Sequence, residues 1–140
     1  MYEELIAKIQ TTLEAVSNVK QVFSTPKTKL TTFPCVFFKP AGFTNTFETR
    51  TENAATYRFM MVVMVGAAGT TIENVFTTVL PHTVDAIIAQ FNEDWDGGTI
   101  GGHRVMIKID SADAWEISEE QDGLVAYAPM SIEIRLLTSH

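Results

Sequence analysis

The chain is poor in cysteine, in histidine and in positive charge, and each shortage removes a class of function. A lone Cys35 cannot close an intrachain disulfide, which fits a reducing compartment. Its apolar neighbours make it a small buried side chain rather than a nucleophile. The three histidines are His82, His103 and His140, and only His82 has a polar partner at helical spacing, Asp85. Two groups fall short of the three or four ligands a zinc site takes, so this pair reads as solvated. Ten Lys and Arg stand against 17 Asp and Glu, a net charge of −7, which opposes a nucleic-acid binder held by phosphate contacts. Such a chain can still let nucleic acid slide past. No apolar run approaches the roughly 20 residues of a membrane-spanning helix. The N-terminus enters a charged amphipathic segment at once, without the basic flank and apolar run of a signal peptide.

What is present describes one α+β domain over 1–140, with an apolar fraction of 46%. Thr56–Val65 is its centre: Met60 to Val65 is apolar at every position, as in a strand buried on both faces. Tyr57 and Phe59 face one way and Thr56 and Arg58 the other. Upstream, Tyr2, Leu5, Ile6, Ile9, Leu13 and Val16 form one face of a helix over 2–16, and 19–23 is a short strand. Residues 24–32 read as a loop, and 33–40 as a strand bracketed by Pro34 and Pro40. Residues 43–57 then form a β-hairpin expected to protrude as a two-stranded ribbon.

After a turn at 66–69, Thr70 and Glu73 have the spacing of a capping box. They open a helix whose apolar stripe runs from Ile72 to Phe91, with Pro81 inside it to kink or divide it. The acidic, glycine-rich 92–102 reads as a loop, 104–109 as a half-exposed strand, 114–117 as a short strand and 118–123 as a turn. A last strand, 125–137, turns Ala126, Ala128, Met130, Ile132, Ile134 and Leu136 to the core. The order favours a mixed, mainly antiparallel sheet with two helices on one face.

No stretch carries a catalytic signature. Gly97-Gly-Thr-Ile-Gly-Gly102 lacks the Lys-Ser or Lys-Thr and the following helix of a phosphate loop. Asp94, Asp96, Asp110, Asp113, Glu116, Glu119, Glu120 and Asp122 lie on turns, with nothing to pair and bury two of them as acid and base. Trp115, between polar turns, is read as a core anchor. The hairpin is the feature a simple monomer leaves unexplained. Phe43, Phe47, Arg50, Glu52 and Tyr57 place aromatic and charged groups on an exposed ribbon, the composition of a docking edge.

Taken along the chain, the pattern resembles the tail terminator (tail completion) proteins of long-tailed bacteriophages. The resemblance rests on the helix at 2–16, Phe33-Pro-Cys-Val36 leading into a strand and hairpin, and the Tyr57-Arg-Phe59 strand. The long helix, Ile109-Asp-Ser111, the isolated Trp115 and a final strand ending Ile132-Glu-Ile-Arg135 complete it. It implies a non-enzymatic virion protein at the tail–head junction, made in the host cytoplasm, without cofactor, metal or membrane partner. Six copies would form a ring that caps the tail tube, ends its polymerisation and joins a head connector or neck protein. DNA would cross the lumen unbound, and Phe43, Phe47, Arg50, Glu52 and Tyr57 would contact the next subunit or the tube. Another neck, head–tail adaptor or tail tube protein shares the pattern. From other classes, a hydrolase using the 94–122 carboxylates and a ligand-binding module with its pocket between helix 72–91 and the sheet are the alternatives.

Overall fold

The computed structural model describes residues 1–24, 33–47, 52–67, 70–120 and 123–139. Two helical segments lie on one face of a seven-stranded sheet. The strands run in the order β1-β2-β3-β7-β5-β4, and β6 pairs with β7 off that path. They are β1 (Gln21–Phe23), β2 (Cys35–Phe47), β3 (Glu52–Gly66), β4 (Asp96–Ile100), β5 (His103–Ala112), β6 (Glu116–Glu120) and β7 (Gly123–Ser139). Only β1 and β2 pair in parallel; the other pairs are antiparallel, so the sheet is mixed as its sequence pattern implied.

The unbroken apolar run takes the interior position it called for. Met61, Val62, Val63, Met64 and Val65 of β3 are all at most 9% exposed. Strand alternation sorts them: Phe59, Met61, Val63 and Val65 join the main core under the helices, while Val62 and Met64 join Cys35 and Val125 in a smaller cluster on the opposite face. The even positions of β7 from Ala126 to Leu136 extend the main core, each at most 3% exposed.

Helix α1 (Tyr2–Glu14) places Leu5, Ile9 and Leu13 in that core, and buried Thr12 donates its hydroxyl to the Lys8 carbonyl at 2.9 Å. The second helical segment starts one residue later than expected. Thr71, not Thr70, is the cap, and its Oγ1 accepts the Asn74 backbone N–H at 3.1 Å. Asn74 Nδ2 also donates to Thr70 Oγ1 at 3.0 Å, a side-chain bond just ahead of the cap. The segment runs through α2 (Ile72–Asn74), a π-helical turn (Val75–Val79) and α3 (Leu80–Glu93). The change from π to α geometry falls at Leu80, so Pro81 stands in the first turn of α3. A proline ring clashes with the carbonyl four residues back, and the wider π turn just before Pro81 gives that carbonyl room. Val75, Leu80, Val84, Ile87 and Phe91 are at most 5% exposed against the sheet.

Three expectations need correction. Pro40 lies inside β2, beside a bulge between Pro40 and Gly42. Beyond Phe37 that strand has no β1 partner, and an edge position with a bulge tolerates a missing N–H. The β2–β3 hairpin forms, but β7 accompanies β3 as far as Glu52↔Ser139, so its distal half belongs to a three-stranded sheet rather than a free ribbon. Finally, 92–102 is not all loop. Asp96–Ile100 is strand β4, joined to β5 through Gly101-Gly102, both at positive φ as a tight hairpin turn requires. The expected loop at 24–32 lies, after Ser24, outside the described residues.

Candidate functional site

The catalytic candidates are scattered. Cys35 is 0% exposed, and burial pushes its thiol up to about 11, the opposite of an activated nucleophile. His82 and Asp85 are both exposed on α3. Asp96, Asp110, Asp113, Glu116 and Glu119 are exposed and Asp94 half-buried, while Glu120 and Asp122 fall where no side chain is described. Among the described residues no three His, Cys, Asp or Glu gather as metal ligands. The glycine-rich stretch is the β4–β5 hairpin, with no helix behind it to cradle a phosphate. A groove of about 340 Å³ opens between α1 and β1, where Glu14 and Lys20 stand at its exposed rim. Trp115 is half-buried, 6.2 Å from the Phe76 ring, and so closes the edge of the core instead of filling its centre.

Two of the five hairpin residues singled out in the sequence, Phe43 and Tyr57, are described, and the structure brings them together. Phe43 of β2 and Tyr57 of β3 are register partners on the helix face, with ring centroids 4.9 Å apart. Tyr2 at the start of α1 meets Tyr57 edge-on at 4.9 Å and Phe59 at 6.2 Å; Phe59 in turn is 6.4 Å from buried Phe38. The result is a graded row of rings, from Phe38 and Phe59 at 0% exposure to Tyr2 at 38% and Phe43 at 50%. Such a row is amphipathic and is anchored in the core at its buried end. Burial, with the Tyr2 phenol adding, raises the Tyr57 hydroxyl above its usual range. Tyr2 was not among the residues the hairpin pattern singled out. Its place on the apolar face of α1 was the only signal, and the pairing with Tyr57 depends on how α1 crosses the sheet. The side chains of Phe47 and Glu52 are not described, and Arg50 lies outside the described residues.

The other face of the sheet, which neither helix covers, divides in two. Near β1 it is apolar, with Cys35, Val62, Met64 and Val125 buried beside Phe33 and Phe37. Phe33 packs so closely that a Cβ on Gly66 would lie 2.7 Å from its ring. Toward the hairpin end it is polar. Arg58, Glu133 and Lys108 stand in register across β3, β7 and β5, and Arg58 Nη1 donates to Thr44 Oγ1 at 2.8 Å.

No protein-family model matches this sequence, and no curated protein is similar to it. In three dimensions it is similar to a chain from the virion of a native gene transfer agent (GTA) particle. The TM-score is 0.51 at 14% identity, over 93% of this chain and 92% of that one. At that identity the likeness is one of fold, and it extends almost end to end.

Proposed function

We propose that this chain is a non-enzymatic structural component of a phage-like virion, and specifically a tail terminator. In this reading copies close into a hexameric ring on the end of the tail tube, stop its growth and join it to a head connector or neck protein. The observation that carries the proposal is the end-to-end likeness of fold to a virion chain, 93% and 92% covered. The exposed aromatic row supports it: Phe43, Tyr57 and Tyr2 offer rigid ring surface at one end of the sheet, suited to stacking on a tube end. A terminator needs a ring that closes, because a contact that repeats without closing gives a filament. The net charge of −7 suits a lumen through which DNA passes without being held. Phe47, Arg50 and Glu52 extend the same contact in this proposal.

Light scattering over a concentration series, with and without purified tail tubes of the same particle, tests it. A mass of six chains, alone or at the tube end, and a halt in tube growth are expected. Phe43→Ala should weaken capping while costing the monomer only about 1 kcal/mol, the scale of its ring contact with Tyr57. Open-ended growth would instead identify a tube protein, and a single chain that never binds tubes would refute the reading.

A further inference from the structure

We propose that neighbouring copies of this chain join edge to edge, with Trp95 of one copy seated in the groove between α1 and β1 of the next. The inference rests on the ring reading above and names the contact that closes the ring.

Among the described residues, Trp95 is the largest apolar side chain left exposed. It stands between α3 and β4 and is 51% exposed. Its backbone is nonetheless held, because its carbonyl accepts the Ile107 N–H at 2.8 Å. An indole presented from a fixed backbone loses little freedom on binding, and tryptophan is prominent among the residues that dominate protein contacts.

The groove has the complementary make-up. It holds about 340 Å³; Val19 and Val22 give it apolar lining, and Gln10, Glu14 and Gln21 supply oxygens able to accept an indole N–H. Lys20 offers a cation to the indole face and to any carboxylates beside it. Trp95 brings such carboxylates with it: Glu93 is exposed, and Asp94, half-buried, accepts a hydrogen bond from Gln90 Nε2 at 2.9 Å.

Groove and indole lie at opposite margins of the sheet, since β1 and β4 are the two ends of the strand order. Charge divides the same way. Between Glu14 and Glu48 the sequence has Lys20, Lys27, Lys29 and Lys39 and no acid. Between Arg58 and Arg104 it has Glu73, Asp85, Glu93, Asp94 and Asp96 and no lysine or arginine. The first stretch supplies β1 and β2, the second α3 and β4. Lys20 and Lys39 are exposed, as are Asp85, Glu93 and Asp96. Each margin holds an exception, Glu14 on α1 and Arg104 opposite Thr99 on β5, and these two are again of opposite sign. Lys108, farther along β5, is matched by Asp110 at 3.6 Å.

Like margins would set Glu93 and Asp94 against their own copies and leave the groove unfilled, so a two-fold contact is disfavoured. Unlike margins bring carboxylates to lysine and a ring to a groove. A contact between two different surfaces repeats from copy to copy, and a rotation between copies closes it into a ring.

Two full-chain variants test the contact: Trp95→Ala, which removes the ring, and Gln10→Trp, which fills the groove from α1. Each alone should raise the concentration needed for assembly by roughly tenfold or more, as light scattering reads it. Mixed in equal amounts they should form pairs of chains and go no further, because one intact groove then meets one intact Trp95. In a Trp115→Phe background Trp95 is the only tryptophan, and its emission should move to shorter wavelength over the concentrations at which the mass rises. Thermal melts of each variant check that the single chain is folded. Assembly indifferent to both variants, no pairing on mixing folded variants, or an unchanged emission would overturn the inference. So would a chain that stays single at every concentration, with tail tubes and without. A Gln10→Trp chain that assembles normally but no longer binds tubes would give the groove to the tube protein and overturn it too. A hexamer indifferent to both changes leaves the terminator reading standing while this one falls. Pairing on mixing, in a chain that never binds tubes, does the reverse.

Discussion

Replacing Phe59 by alanine tests the centre of the fold. Phe59 is fully buried on β3, in register with Pro40 on β2 and Ile132 on β7, with Phe38 and Tyr2 rings 6.4 and 6.2 Å away. Removing the ring forfeits about 2–3 kcal/mol of transfer free energy, and the cavity adds to that. Strands on both sides pin the β3 backbone, so the site cannot collapse far, and a total near 4 kcal/mol within the usual range of about 3–5 is expected. With a urea dependence of about 2 kcal/mol/M, the unfolding midpoint should fall by about 2 M. The measurement is urea unfolding followed by circular dichroism and by Trp95 and Trp115 fluorescence. It belongs at a dilution where the mass is that of one chain, because assembly would otherwise add to the apparent stability. A loss below about 1 kcal/mol with an unchanged slope, the scale of a surface substitution, would refute the placement of this side chain.

Three further outcomes are expected. Thr71→Ala removes the oxygen that accepts the Asn74 N–H and should cost about 1 kcal/mol in thermal or urea unfolding, whereas equal losses from Thr71→Ala and Thr70→Ala would contradict the cap assignment. Gly66→Ala puts a methyl 2.7 Å from the Phe33 ring and should cost about 1–3 kcal/mol; a double-mutant cycle with Phe33→Leu should recover part of it, and strict additivity would rule out the contact. The native Cys35 thiol should resist a thiol reagent at pH 8 until the chain unfolds. Because its folded pKa is raised from 9.0 to about 11, the unfolded chain releases this proton first, so its contribution to stability is intact below pH 9 and lost as pH rises toward 11. Rapid stoichiometric labelling of the folded chain would contradict both statements.

Much of the architecture was legible because burial writes itself into periodicity. The continuous apolar run at Met60–Val65 marked the interior strand, the alternation over 126–136 separated core from solvent on β7, and the three-and-four spacing of α1 named its buried face. What failed to show depends on partners distant in sequence. Asp96-Gly-Gly has no strand propensity of its own, and β4 forms because β5 supplies its ladder; Gly97 fits since the Val105 side chain comes within 3.1 Å of where a Cβ would stand. The Gly101-Gly102 pair between Ile100 and His103 was the available hairpin signal. The cap slipped from Thr70 to Thr71 because two adjacent threonines are equivalent until Asn74 chooses between them. Of the ring row, Phe43 and Tyr57 were visible from alternation, but Tyr2 completes it only through the crossing of α1 over the sheet.

The position of β7 bears on when the protein becomes competent during its synthesis. It follows every other described element in the chain, yet it sits between β3 and β5 and also supports β6. Until it emerges from the ribosome, the β1–β3 portion and the β4–β5 hairpin have no common strand to join them. Helix α3, which packs across β3, β5 and β7, then lacks a continuous sheet to cover. The long-range pairings of β7 also raise the mean sequence separation of contacts, which slows folding. Strand β6 depends on it as well, since among the described strands it is held by β7 alone. A nascent chain, or one cut short before Gly123, would therefore lack the strand that joins the two parts of the sheet, so only a finished chain would hold the fold.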